Sequence, residues 1–188
     1  MAIEETEYDV LQSDGNFELR NYYPHIVAET FVDGDFDSVG NEGFRRLFGY
    51  ISGNNQTQES ISMTAPVSQE VNSEKIAMTA PVNQQEDAGK WRITFMMPSK
   101  YALDTLPIPL DDRVKLRKVE SKLMAVFKYT GTWSKKRYAQ KREKLEAIIK
   151  ERGLIPDGEP VFARYNPPFM PWFLRRNEVL IKVIRVNE

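Results

Sequence analysis

The sequence predicts an α+β fold: a distorted antiparallel β-barrel or curled sheet, flanked by two helices and built from two pseudo-symmetric halves. Three observations predict it. Ile61-Ser62-Met63-Thr64-Ala65-Pro66-Val67 recurs as Ile76-Ala77-Met78-Thr79-Ala80-Pro81-Val82, identical at six of seven positions after a shift of fifteen residues. A longer repeat relates the halves at one ungapped offset of 97, pairing Leu19-Arg20 with Leu116-Arg117, Ala28 with Ala125, Gly34 with Gly131 and Phe36 with Trp133. In each half, short β-rich runs lead into one amphipathic helical run, an order that suits an antiparallel sheet with helices packed against it.

Taken in order, Phe17 to Tyr23 and His25 to Val32 read as strands joined at Pro24, and together suggest a hairpin. Asp33-Gly34-Asp35 ends the second. Asp37 or Ser38 then suits the N-cap of a helix with Phe44, Leu47, Phe48 and Ile51 as its apolar stripe, stopped by Gly53-Asn54-Asn55. In the doubled phrase, Ile, Met and Ala alternate, which on a strand puts all three on one face, and the proline ends the strand or confines it to an edge. Ser68 to Lys75, between the copies, is short enough for a hairpin loop. Trp91 to Met97 alternates again and closes at Pro98, and the turn-prone stretch from Ser99 to Asp112 connects the halves. The second half continues with strands near Leu116 and Leu123. Its helix starts near Ser134, with Tyr138, Leu145, Ile148 and Ile149 inward and Gly153 at its end. Pro160 to Tyr165 and Glu178 to Val186 supply the last strands. A single domain over residues 1–188 is expected, with halves at about 8–98 and 114–186.

Composition excludes several function classes. Lys and Arg total 26 against 27 for Asp and Glu, a net charge of −1, so no general field draws the chain to nucleic acid or an anionic membrane. With no cysteine there are no disulfides, thiolate metal sites or cysteine nucleophile. The acidic N-terminus lacks the basic start and apolar run of a signal peptide, and no stretch approaches a membrane span, so a cytoplasmic location is expected. The sequence carries no Gly-rich phosphate loop, H-E-x-x-H or G-x-S-x-G, and its one histidine, His25, makes no metal cluster alone. Glu18, Glu29 and Glu178 fall on predicted strands and would serve as acid or base only if buried in a cleft.

The I-x-M-T-A-P-V phrase, E-L-R-x-Y-x-P at Glu18 to Pro24, W-x-x-x-F-x-M-P at Trp91 to Pro98, and A-R-Y-N-P-P followed by R-R-N-E between Ala163 and Glu178 together resemble the SOUL haem-binding protein family. The doubled phrase looks like that of a bacterial or plant-type member. The resemblance runs from about Tyr8 to Val186. It implies the two-half barrel described above, related to the effector-binding domains of GyrI-like proteins, and reversible binding of haem or other porphyrins for storage, buffering or transport, with no enzymatic reaction. Some members have a proposed axial histidine just after the Arg of the opening strand, and Asn21 stands there in this chain.

A porphyrin needs an apolar wall, cations for its two carboxylates and, for haem, an axial donor. The first helix offers such a wall in Phe44, Leu47 and Phe48, above a surface kept low by Gly40 and Gly43, with Arg45 and Arg46 as propionate partners. For at least half of Phe44, Leu47, Phe48 and Ile51, the helix covering its sheet is the first expectation. Met63 and Met78 read as soft ligands or adaptable lining, with core packing the simpler explanation, and His25 as an axial ligand or a solvent-facing side chain. Two rivals accompany the haem-binding reading. One is a hydrolase or tetrapyrrole-modifying enzyme in the crevice between the halves. The other is a partner or membrane contact through Pro167 to Leu174, a proline-stiffened run rich in large apolar residues, for which capping one end of the barrel is the first expectation and a lid the second.

Overall fold

The computed structural model describes residues 3–58 and 72–186. In chain order its first half comprises β1 (Glu4–Glu5), β2 (Tyr8–Asp14), β3 (Phe17–Tyr22), β4 (His25–Val32), α1 (Phe36–Ile51), β5 (Asn55–Gln56), β6 (Thr79–Ala80), β7 (Val82–Asp87) and β8 (Lys90–Met96). After β9 (Ile108–Pro109) the second half follows: β10 (Lys115–Val119), β11 (Lys122–Thr130), α2 (Lys135–Glu151), β12 (Leu154–Pro156), β13 (Val161–Arg164), a single 3-10 turn at Trp172–Leu174, and β14 (Arg176–Arg185). The fold is α+β, with two helices on a strongly curled antiparallel sheet that forms a half-barrel. Its strand order is β10-β4-β8-β7-β13-β14-β11-β3-β2, with β12 added against β14.

The halves exchange partners. β3 and β4 do not form the hairpin expected from their adjacency, because Pro24 stiffens the short link between them and each strand pairs across the repeat instead. β3 pairs with β11, Phe17 opposite Phe127, while β10 pairs with β4, Lys115 opposite Glu29. Since β10 repeats β3 and β11 repeats β4, these two pairings are images of each other under the offset of 97 read from the sequence.

Alternation sorts side chains to the two faces of the sheet. Toward α1 point Ala28, Val32, Ile93 and Phe95, which pack with Val39, Leu47, Tyr50 and Ile51. Toward α2 point Leu19, Ala125, Phe162, Val179 and Ile181, which pack with Tyr138, Leu145 and Ile149. The first helix starts one residue before the expected caps, at Phe36, with Asp35 as its N-cap, since Phe36 belongs to the buried core. The buried stripe is therefore Phe36, Val39, Leu47, Tyr50 and Ile51, joined by Gly40 and Gly43. A Cβ at Gly43 would lie 2.3 Å from Ile93 Cγ1, so this glycine lets the helix backbone rest directly on β8. Seated that closely, α1 keeps Phe44 partly buried against Phe95 of β8 at 5.4 Å but leaves Phe48 47% exposed, so Phe48 does not cover the sheet as Leu47 and Ile51 do. In α2 the Ser134 hydroxyl accepts from the Arg137 N–H as expected, and Gly153 follows the helix with φ +66°.

The hairpin expected of the two repeat copies rests in part on residues outside the described ones. In the second copy Thr79–Ala80 is extended, in a two-residue parallel pairing with Glu4–Glu5, and after Pro81 the chain enters β7 to pair with β8. The first copy, Ile61 to Val67 with Met63, lies outside the described residues.

Candidate functional site

The groove with the most apolar lining runs along the outer flank of α1, between that helix, the second repeat copy and the segment after β13. Its volume is about 360 Å³. Gly40, Phe44 and Phe48 form the helix wall, with their two rings stacked at 5.6 Å. Met78 and Val82 line the floor, and Trp133, Pro167 and Phe169 stand opposite. Phe169 is 86% exposed, an unusual state for a large apolar ring beside a groove.

One cation reaches this groove from beneath. Arg164, at the end of β13, lies over the rings of Phe162 and Trp133 at 4.9 and 5.2 Å. Its Nη2 donates to Gln84 Oε1 at 2.9 Å, and the Gln84 amide in turn donates to Phe36 O. A Cβ at Gly40 would sit 2.8 Å from Arg164 Nη1, so the glycine leaves the space that the guanidinium fills. No carboxylate among the described residues forms an ion pair with Arg164, and its buried Nε has no acceptor. Burial pulls the guanidinium down to about 10, against weaker support from Tyr129 and Asp37, and it remains charged at neutral pH.

The other residues singled out from the sequence lie elsewhere. Arg45 and Arg46 line a different depression with Asp111 and Arg113. Arg46 donates to Phe31 O at 2.9 Å and to Glu42, ties that hold it against β4. Leu47 is fully buried against the sheet. His25 lines two other cavities, with Nδ1 2.8 Å from Tyr23 O; that nitrogen must carry the proton, because a carbonyl only accepts. Burial, aided by Lys122 and Arg117, lowers its pKa and keeps the imidazole neutral near pH 7. The structure thus brings together Phe44, Phe48 and Met78, and separates them from His25, Arg45 and Arg46. In the Pro167 to Leu174 segment, Trp172, Phe173 and Leu174 are all more than half exposed, so they are not buried as a cap over the barrel end.

The crevice between the halves contains a buried ionic network. Arg20 and Glu178, both 0% exposed, meet through two bonds, Nη1 to Oε2 at 2.8 Å and Nη2 to Oε1 at 2.9 Å. Arg20 Nε also donates to Glu18 at 2.7 Å, and Glu178 further accepts from the Tyr165 hydroxyl at 2.7 Å and Arg176 at 3.0 Å. Burial disfavours the charge on Arg20, but the bond and field of Glu178 outweigh it and hold the guanidinium above its ordinary pKa. The two oxygens of Glu178 thus take five bonds from three side chains, Arg20, Tyr165 and Arg176, and are fully engaged by donors. Lys128 and Arg20 likewise hold the Glu18 carboxyl below its ordinary value in spite of burial.

The family model described as SOUL heme-binding protein matches residues 3–182. The chain belongs to the SOUL haem-binding protein family. Human heme-binding protein 2 is 29% identical over 176 residues, covering 93% of this chain and 80% of that protein. The fold is also that of two solved structures. The EcmrR C-terminal domain matches with a TM-score of 0.63 at 9% identity, over 95% of this chain and 99% of that one. A hydrolase from Listeria innocua matches with a TM-score of 0.61 at 12% identity, over 93% and 94%. At those identities the likeness shows a shared fold. No helix among the described residues is long and apolar enough to cross a membrane.

Sequence reading missed Arg164 and Trp133 as site residues, whereas Pro167 to Phe169 belong to the run whose second expectation is a lid over a pocket. A signal was present: in Val161 to Tyr165, alternation puts Arg164 on the same helix-facing side as Phe162, and a charge on that side calls for a partner.

Proposed function

We propose that this chain binds haem or a related tetrapyrrole in the groove beside α1, for storage, buffering or transport. The observation that carries this reading is Arg164, a buried guanidinium without a carboxylate partner among the described residues, set in a groove walled by Phe44, Phe48, Met78, Trp133 and Phe169. A flat ring with apolar faces and carboxylates at one edge suits that combination: the aromatic walls hold the ring, and the guanidinium takes a propionate. Exposed Phe48 and Phe169 extend the apolar surface beyond the groove, so a ring larger than the cavity remains partly covered. The family and the human relative named for haem binding support the same reading. They favour binding over catalysis, and the commitment of Glu178 to its donors agrees.

Bound haem supplies an iron that takes axial donors, and Met78 offers a thioether within the groove. His25 lies outside it. Titration with haemin and with iron-free protoporphyrin is therefore expected to saturate at one ring per chain for both, with affinities within about tenfold, since the ring and its carboxylates supply most of the binding. His25→Ala should leave the Soret band of the haemin complex unchanged. A shifted band in that variant would move the site to a cavity that His25 lines.

The exposure of Trp172, Phe173 and Leu174 favours a second contact, with a membrane surface. Trp172→Ser with Phe173→Ser should then abolish co-sedimentation with liposomes, and unaltered co-sedimentation would remove this segment from that role.

A further inference from the structure

The face of the sheet that points away from the helices encloses a second cavity, of about 280 Å³, near the turn joining β10 to β11. Side chains from β4, β7, β8, β10, β11, β13 and β14 line it, which is possible only because the sheet curls with this face inward. Four cations project into it from four strands: Arg92, Arg117, Lys122 and Lys182. Three have carboxylates beside them, for Arg117 donates to Glu29 at 3.0 Å, Arg92 pairs with Asp87, and Lys182 lies 2.5 Å from Asp157. Of these carboxylates none lines the cavity; the one that does, Glu120, pairs with Lys118 at 3.2 Å.

Lys122 is different. Among the described residues no carboxylate lies within ion-pairing distance of its ammonium. Burial, then the fields of Arg117, Lys182 and Arg92, pull it down to about 8, so it still carries charge at neutral pH. A sequence selected only for stability would not hold a half-buried, unpaired ammonium beside three other cations. Such local conflict is expected where a ligand resolves it.

We propose that this cavity is a binding site for a compact multivalent anion of the phosphate or phosphate-monoester class. Cations converging from several strands suit a tetrahedral group that accepts bonds in several directions, and the side chains of Asn83, Thr94 and Ser121 at the wall add neutral hydrogen-bonding groups. The volume takes a phosphate or pyrophosphate, and the lining holds no Phe, Tyr or Trp to face a porphyrin ring. The cavity shares no lining residue with the groove beside α1, so it stands apart from the haem reading.

The test is calorimetric titration of the full chain at neutral pH with inorganic phosphate and with pyrophosphate, for the natural sequence and for Lys122→Met. Saturable binding of at least one probe at one per chain is expected, weakened tenfold or more in the variant. Phosphate should raise the thermal unfolding midpoint of the natural protein and leave that of the variant nearly unmoved. The variant removes an unpaired, half-buried charge, so without phosphate it should be at least as stable as the natural chain. Failure of both probes to saturate, or equal affinity in the two proteins, would overturn the assignment.

Discussion

Arg20→Met is expected to lower the stability of the fold by about 3–5 kcal/mol, the usual effect of removing one partner from a buried ion pair. The guanidinium is inaccessible to water, bonds both oxygens of Glu178 and reaches Glu18, so its loss strands one fully buried carboxylate and weakens the hold on another. Arg176 and Tyr165 still reach Glu178, which places the loss toward the lower end of that range. Urea unfolding followed by circular dichroism would measure it. Combining Arg20→Met with Glu178→Leu should recover much of the loss, since an apolar pair needs no solvation. If the single variant is as stable as the natural chain, this network does not hold the halves together.

Arg164→Met is expected to weaken haemin binding by about 10- to 100-fold, equivalent to about 1.5–3 kcal/mol for a hydrogen bond to a charged group. The fold should tolerate the change, because Arg164 has one side-chain partner, Gln84, and the variant leaves no carboxylate stranded. Arg164→Lys keeps the charge without the planar fork and should fall between the two. Spectroscopic titration of all three proteins, with unfolding curves alongside, separates lost affinity from lost structure. Equal affinities would exclude Arg164 as the propionate partner.

Much of this architecture was legible in the residues. The offset of 97 carried the two-half plan because it repeated whole strands and a helix, and period-two alternation separated the faces of the strands. What pairs with what was not legible. β3 and β4 look like a hairpin in sequence, and only the exchange of partners between halves shows that Pro24 joins two strands that pair elsewhere. The site was partly legible. Phe44, Phe48 and Met78 do meet in one groove, but Arg45 and Arg46 follow the helix round to another face, since residues one or two apart on a helix do not share a side. Arg164 escaped notice because its role depends on Gly40 and Trp133, which are distant from it in sequence and adjacent only after folding.

The central claim is that a porphyrin lies against the outer flank of α1, and the most direct measurement is a haemin titration, read in the Soret band, of the natural chain beside Phe48→Glu. Phe48 is already half exposed, so a glutamate there leaves the core intact while setting a negative charge on the wall that would face the ring and its propionates. The expected result is saturation at one haemin per chain in the natural protein and affinity at least tenfold lower in the variant, about 1.4 kcal/mol. Identical titration curves, or a natural chain that never saturates, would contradict it.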